Sequence, residues 1–112
     1  MNPILVIILS QMLFTAGDLI ARANMRVTGF EVRAFISWWF VAYTLLRTVA
    51  TFGQLYVFAT VDLGRTMALF GAVSIVLANV FSVLLLGEVL STGVYAGVAL
   101  AITAFLVLAL LP

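Results

Sequence analysis

Cysteine, histidine and lysine are all missing from this chain of 112 residues. Without cysteine there is no disulfide, no thiolate metal site and no nucleophilic thiol. Without histidine the commonest general base and metal ligand is gone. Charge is scarce as well, at 8% of residues, against about a quarter in a soluble domain. The four acidic residues are scattered, and neither a phosphate loop nor a metal-ligand spacing occurs. No enzyme, no metal site and no cofactor is therefore expected. A net charge of +1 gives no reason to expect a nucleic-acid partner. What the chain has in excess is apolar surface: 66% of it is hydrophobic. Water cannot cover that fraction in a fold of this size, so lipid must be the solvent.

Four apolar runs follow one another, Ile4–Ala21, Phe35–Ala59, Thr66–Leu86 and Thr92–Leu111. Each is near the ~20 residues an α-helix needs to cross the hydrocarbon. The reading is an all-α membrane protein, a bundle of four transmembrane helices over 4–25, 34–60, 65–86 and 91–111, forming one domain over 1–112. The first run lacks a basic leader and a small-residue cleavage site, so it is read as a span. The breaks are "RANMRVTGFEVR", "TVDLGRT" and "GEVLSTG". The last two are so short that helices two, three and four are expected to pack as antiparallel neighbours. Trp38 and Trp39 fall at the mouth of helix two, where an aromatic belt belongs. Arg22, Arg26 and Arg33 lie in or beside the first loop and only Arg65 in the second, which puts the first loop in the cytoplasm. Four short helices enclose little space, so a substrate-sized cavity calls for a second copy or a partner chain.

The costliest residue is Arg47, at the centre of helix two. A central Arg costs ~3 kcal/mol on insertion scales and survives where it meets a counter-ion or water. Tyr43, Arg47, Thr51 and Gln54 follow i, i+4, i+8, i+11 spacing and share one face. That polar stripe points into the bundle or a cleft. Arg47 then either fixes packing by pairing with an acid or binds an anionic group of a substrate. Asp18 in helix one is the natural counter-ion, within the chain or between two chains. It is equally placed to pair with Arg22, one turn on. At ~1.5 Å per residue Asp18 is expected roughly 10 Å below the end of its helix and Arg47 roughly 20 Å below its own. Asp62, Arg65 and Glu88 read as solvated turn residues. Gln11, Thr15 and Asn79 read as donors and acceptors of interhelical hydrogen bonds. Helix four has no charge but carries a small-residue ladder, Gly93, Gly97 and Ala101, and helix three has Ser74, Ala78 and Ser82. Such ladders allow close helix approach, within a chain or across a dimer.

Two stretches carry a family resemblance. "SVLLLGEVLS", followed by a Gly-led helix, resembles the closing turn and last span of the drug/metabolite transporter superfamily, EamA-type half-transporters included. "AGDLIARANMRVTGF" resembles the first helix of the small multidrug resistance proteins, in which an acidic residue precedes a basic one by eight positions, here Asp18 and Arg26. It is also similar to the first helix of the four-helix subunits that flip aminoarabinose-modified lipid. The resemblance covers almost the whole chain. It implies paired four-helix protomers in the cell (inner) membrane of a bacterium or archaeon. Helices one to three would line a cavity, and helix four would contribute to the dimer through Gly97 and Ala104. It implies that Asp18 is the carboxylate that binds proton and substrate. The chain departs from those exporters at the start of helix three, where Arg65 stands in place of an aromatic. Without an aromatic cage, and with Arg47 on the cavity face, an anionic or phosphate-bearing substrate fits better than a hydrophobic cation.

Two functions follow. One is a proton-coupled transporter or flippase-type carrier for a small molecule or lipid, working as a homodimer or with a similar chain, its site built from Asp18, Arg47, Tyr43, Thr51 and Gln54. The other is a non-transporting, transporter-like subunit of a larger membrane complex.

Overall fold

The computed structural model describes residues 2–111, and among these it contains helices and turns but no strand. Four helices run α1 (Pro3–Thr28), α2 (Trp38–Thr60), α3 (Leu63–Leu86) and α4 (Thr92–Leu110), with a short 3-10 turn at Val32–Phe35 between the first two. Asn2 caps α1, its side-chain oxygen accepting from the Ile4 amide at 2.9 Å, and Pro3 follows at the first helical position, where a missing N–H costs nothing. Ser91 caps α4 in the same way, accepting from Val94. Gly87 ends α3 in the left-handed conformation, φ 68°.

Helices α1, α3 and α4 are long and apolar enough to cross a membrane, and the chain is a membrane protein. Helix α2 has the length, 23 residues, but carries Arg47 and Gln54 and stands outside that group.

The helices do not form the compact four-square bundle that short loops imply. Helix α1 lies between α2 and α3 and packs along both, and α4 packs chiefly on α3. Helices α2 and α3 meet only marginally, although two residues join them. The order in space is therefore α2, α1, α3, α4. The molecule measures 47 × 34 × 19 Å, and its 34 Å breadth suits helices side by side at about 8–10 Å spacing. The expectation that α2 and α3 pack as neighbours is thus corrected. A tight turn fixes where the chain re-enters, but shape decides which helix it lies against.

That shape is visible where α1 meets α2. Val6, Ile7 and Phe14 of α1 join Ala50 and Val57 of α2 in the core, and from the other side Leu69, Phe70 and Val73 of α3. Small residues face each other across the α1–α2 contact: a Cβ added to Gly53 would stand 3.1 Å from the Ser10 Cβ. Close approach of this kind replaces the hydrophobic drive that lipid cannot supply. Outside the core many large apolar side chains are exposed and others half-buried; of the α4 residues only Ala101 is buried.

Candidate functional site

Asp18 lies ten residues before the end of α1 and Arg47 nine residues after the start of α2. At ~1.5 Å per residue both are roughly 15 Å from the same end of the molecule. The difference in depth expected from sequence disappears for two reasons. Helix α1 runs on to Thr28, and the residues before Trp38 form a separate 3-10 turn rather than the start of α2. The two charges therefore meet: Arg47 Nη1 donates to Asp18 Oδ1 at 2.8 Å. Asp18 takes Arg47 rather than Arg22.

The guanidinium also lies over two aromatic rings. Its central carbon is 4.8 Å from the Phe14 ring centroid and 5.6 Å from that of Tyr43. Phe14, four residues before Asp18, is buried and stands edge-to-face with Phe70 of α3. The Arg47 stem and Tyr43 lie against the α1 backbone at Gly17, where an added Cβ would be in ordinary contact with both, at 3.5 Å. An aromatic series, Phe30, Phe35, Phe40 and Tyr43, leads from the first loop to this point, each ring within 6.3 Å of the next.

The pair is not sealed. Arg47 and Asp18 side chains are 40% and 50% exposed. They open onto a groove of about 350 Å³ whose floor is α1 and whose walls are α2 and α3. Gln11, Thr51, Gln54 and Ser74 add polar groups to it, and Met67, Phe70 and Gly71 the α3 wall. The stripe foreseen on helix two is thus brought to one groove at Arg47, Thr51 and Gln54. Tyr43 lies just outside the lining, against the guanidinium. Thr51 directs its hydroxyl proton to the Arg47 carbonyl, at 2.7 Å. Asp18 also borders a second hollow of about 230 Å³ between α1 and α3, which reaches Asn79, Ser82 and, at its far end, Arg22 and Glu88.

Comparison with family models, curated proteins and solved structures gives no match. The site must be judged on its own geometry.

Arg65 and Glu88, read from sequence as solvated turn residues, take partners, and so do Arg22 and Arg26. Arg22 pairs with Glu88 at 3.2 Å. The hydrogen bond from Arg22 holds the Glu88 carboxyl below its ordinary value. Arg26 donates to the Leu86 carbonyl at the end of α3. Arg65 donates to the carbonyls of Leu108 and Leu111 at the end of α4. Three arginines therefore tie helix ends together, two of them on carbonyls that have no partner within the helix. The single polar residues also differ from expectation. Gln11 bonds Thr15 on its own helix, and Asn79 bonds the Ile75 carbonyl on its own. Both are i, i+4 bonds rather than links between helices.

On α4 only Ala101 of the small-residue ladder is buried. Gly93 and Ala104 are exposed, and a Cβ on Gly97 would meet nothing within 4 Å. On α3 the corresponding residues face the hollows beside α1: Ser74 lines the groove, and Ala78 and Ser82 the second hollow. Among the described residues no cluster of acidic side chains could hold a metal ion. Phe14 is among the site residues that sequence reasoning passes over, with Met67, Phe70 and Gly71 of α3. The signal for Phe14 was only the i, i+4 spacing to Asp18 within an apolar run.

Proposed function

We propose that this chain is a membrane carrier subunit that binds an anionic or phosphate-bearing substrate in the groove between α2 and α3. The observation that carries this reading is an Arg–Asp pair at mid-height that stays half exposed on a polar groove. A half-exposed pair keeps N–H donors and carboxylate acceptors within reach of an incoming group, so it can exchange partners. Arg47 supplies the charge and a planar set of N–H donors matched to phosphate or carboxylate oxygens. Thr51 and Gln54 offer neutral polar contacts beside it, and Asp18 is the group that can carry a proton.

In this reading α2 is the fourth span, its polar stripe turned to the groove and its apolar side to lipid. The open side of a molecule only 19 Å deep is closed by a second four-helix chain, a copy of itself or a similar one. The α4 face with Gly93, Gly97 and Ala104 is one surface available for that pairing. The resemblance of "AGDLIARANMRVTGF" and "SVLLLGEVLS" to drug/metabolite transporters supports a carrier, in an inner membrane with the Arg-rich first loop in the cytoplasm. In liposomes, Asp18→Asn and Arg47→Ala should each abolish coupled flux of a phosphate-bearing substrate. Unchanged flux in both variants would remove the site.

A second reading has its own observation: Asp18 already neutralises Arg47 inside one chain, at 2.8 Å. That suits a non-transporting subunit of a larger membrane complex. Purification in mild detergent separates the two. A stoichiometric set of unrelated subunits favours the second reading, and a particle of about twice the chain mass favours the first.

A further inference from the structure

The groove holds one cation and one anion already in contact, and this limits how a substrate anion can enter. Among the described residues Arg47 is the only basic side chain lining it. The guanidinium carbon lies over the Phe14 and Tyr43 rings, and ligands reach the group through its N–H edge. Asp18 occupies part of that edge. The other arginines near this end of α1 are engaged, Arg22 with Glu88 and Arg26 with the Leu86 carbonyl. An incoming anion therefore competes with Asp18 for a single guanidinium.

The groups facing Asp18 decide what happens to it when it loses. Helix α2 presents Arg47 and the Tyr43 hydroxyl-bearing ring. Helix α3 presents only neutral groups, Asn79 and Ser82, across the second hollow. Its own helix offers Arg22, one turn away and committed to Glu88, which itself adds a negative charge at the far end of that hollow. Two anions around one guanidinium, with lipid outside, is an arrangement that protonation relieves.

We propose, resting on the carrier reading, that anion and proton bind together: a phosphodiester-like monoanion takes Arg47, and the displaced Asp18 carboxylate takes up one proton. The net charge of the site is then the same empty and loaded, and the carrier is a symporter of anion with proton. Linkage makes the effect reciprocal, so acidification strengthens anion binding as much as the anion strengthens proton binding. The groove, at about 350 Å³, matches a small polar head group. The phosphodiester can be that of a free small molecule or of a lipid entering from the open side.

The test uses purified wild-type protein in mild detergent. The soluble probe is dimethyl phosphate, which stays a monoanion between about pH 5 and about pH 8; the lipid probe is phosphatidylglycerol in mixed micelles. Affinity should fall with rising pH by up to about tenfold per unit. A pH-indicator dye in weak buffer should report about one proton taken up per anion bound. Uptake with both probes supports the proposal with a soluble substrate, and uptake with the lipid alone supports it with a lipid one. Asp18→Asn should bind at all pH values alike, with no proton uptake, and Arg47→Gln should not bind. Binding to wild type without proton uptake overturns the symport proposal and leaves the anion site standing. Failure of both probes to bind wild type overturns the site as well. The dye measurement needs no variant, so poor folding of one cannot mask the answer.

Discussion

Gly53 of α2 sits so close to Ser10 of α1 that a methyl group in place of its hydrogen would come within 1.9 Å of the Ser10 hydroxyl oxygen. The hydroxyl can rotate away, but the Ser10 Cβ, at 3.1 Å, cannot. Gly53→Ala should therefore cost about 1–3 kcal/mol through overpacking, read as a lower melting temperature in detergent. Ser10→Gly in the same chain should recover part of that loss, because it removes both the hydroxyl and the Cβ that the new methyl group meets. A double variant no more stable than Gly53→Ala alone would mean that the α1–α2 contact does not depend on this fit.

Phe14 supports the guanidinium of Arg47 and the core at once. Phe14→Leu keeps apolar volume but loses the ring under the cation and the edge-to-face contact with Phe70. A loss of about 1–2 kcal/mol is expected. In the flux assay the half-saturating substrate concentration should rise, since Arg47 is no longer held at its position. Loss of stability with unaltered half-saturation would assign Phe14 to packing alone.

The Arg22–Glu88 pair gives a pH dependence of definite sign. Arg22 lowers the Glu88 carboxyl from its ordinary value of 4.5. A group with a depressed folded value stabilises above its unfolded value, and that stabilisation is lost as pH falls through the folded one. Glu88→Gln should thus melt below wild type at neutral pH, and the gap should close progressively as pH drops beneath about 4.5. A gap that is constant down to about pH 3 would show that the pair contributes nothing through charge.

Arg65 holds the last turn of α4 by donating to the Leu108 and Leu111 carbonyls. Arg65→Leu should cost about 1 kcal/mol. It should also speed hydrogen exchange at the amides of residues 107–111 specifically. An even change along α4 would point instead to a general loosening against α3.

Much of this molecule could be read from sequence because lipid imposes a simple code. Hydropathy located all four helices, and helical spacing placed Arg47, Thr51 and Gln54 on one groove. The scarcity of charge made Asp18 stand out as the counter-ion. What hydropathy does not encode is lateral order. A two-residue turn brings α3 next to the end of α2, but the notch between Gly53 and Ser10 and the core around Val6, Ile7 and Phe14 put α1 between them. The Arg22–Glu88 pair joins residues 66 apart in sequence, so no local pattern announces it. Two helix-end errors also mattered. The 3-10 turn at Val32–Phe35 and the extension of α1 to Thr28 shifted both charged residues by enough to turn an apparent mismatch into a direct contact.

The linear order of the helices has a mechanical consequence. Helix α2 is fastened to the remainder along one seam, and that seam contains the ionic pair. Loosening Arg47 from Asp18 thus weakens the only long attachment of an edge element, leaving α1, α3 and α4 untouched. A movement of α2 about its short link to α3 has to part the close packing of Ala50, Gly53 and Val57 on α1 as well as the ionic pair, and it would change the width of the groove without repacking the core between α1 and α3.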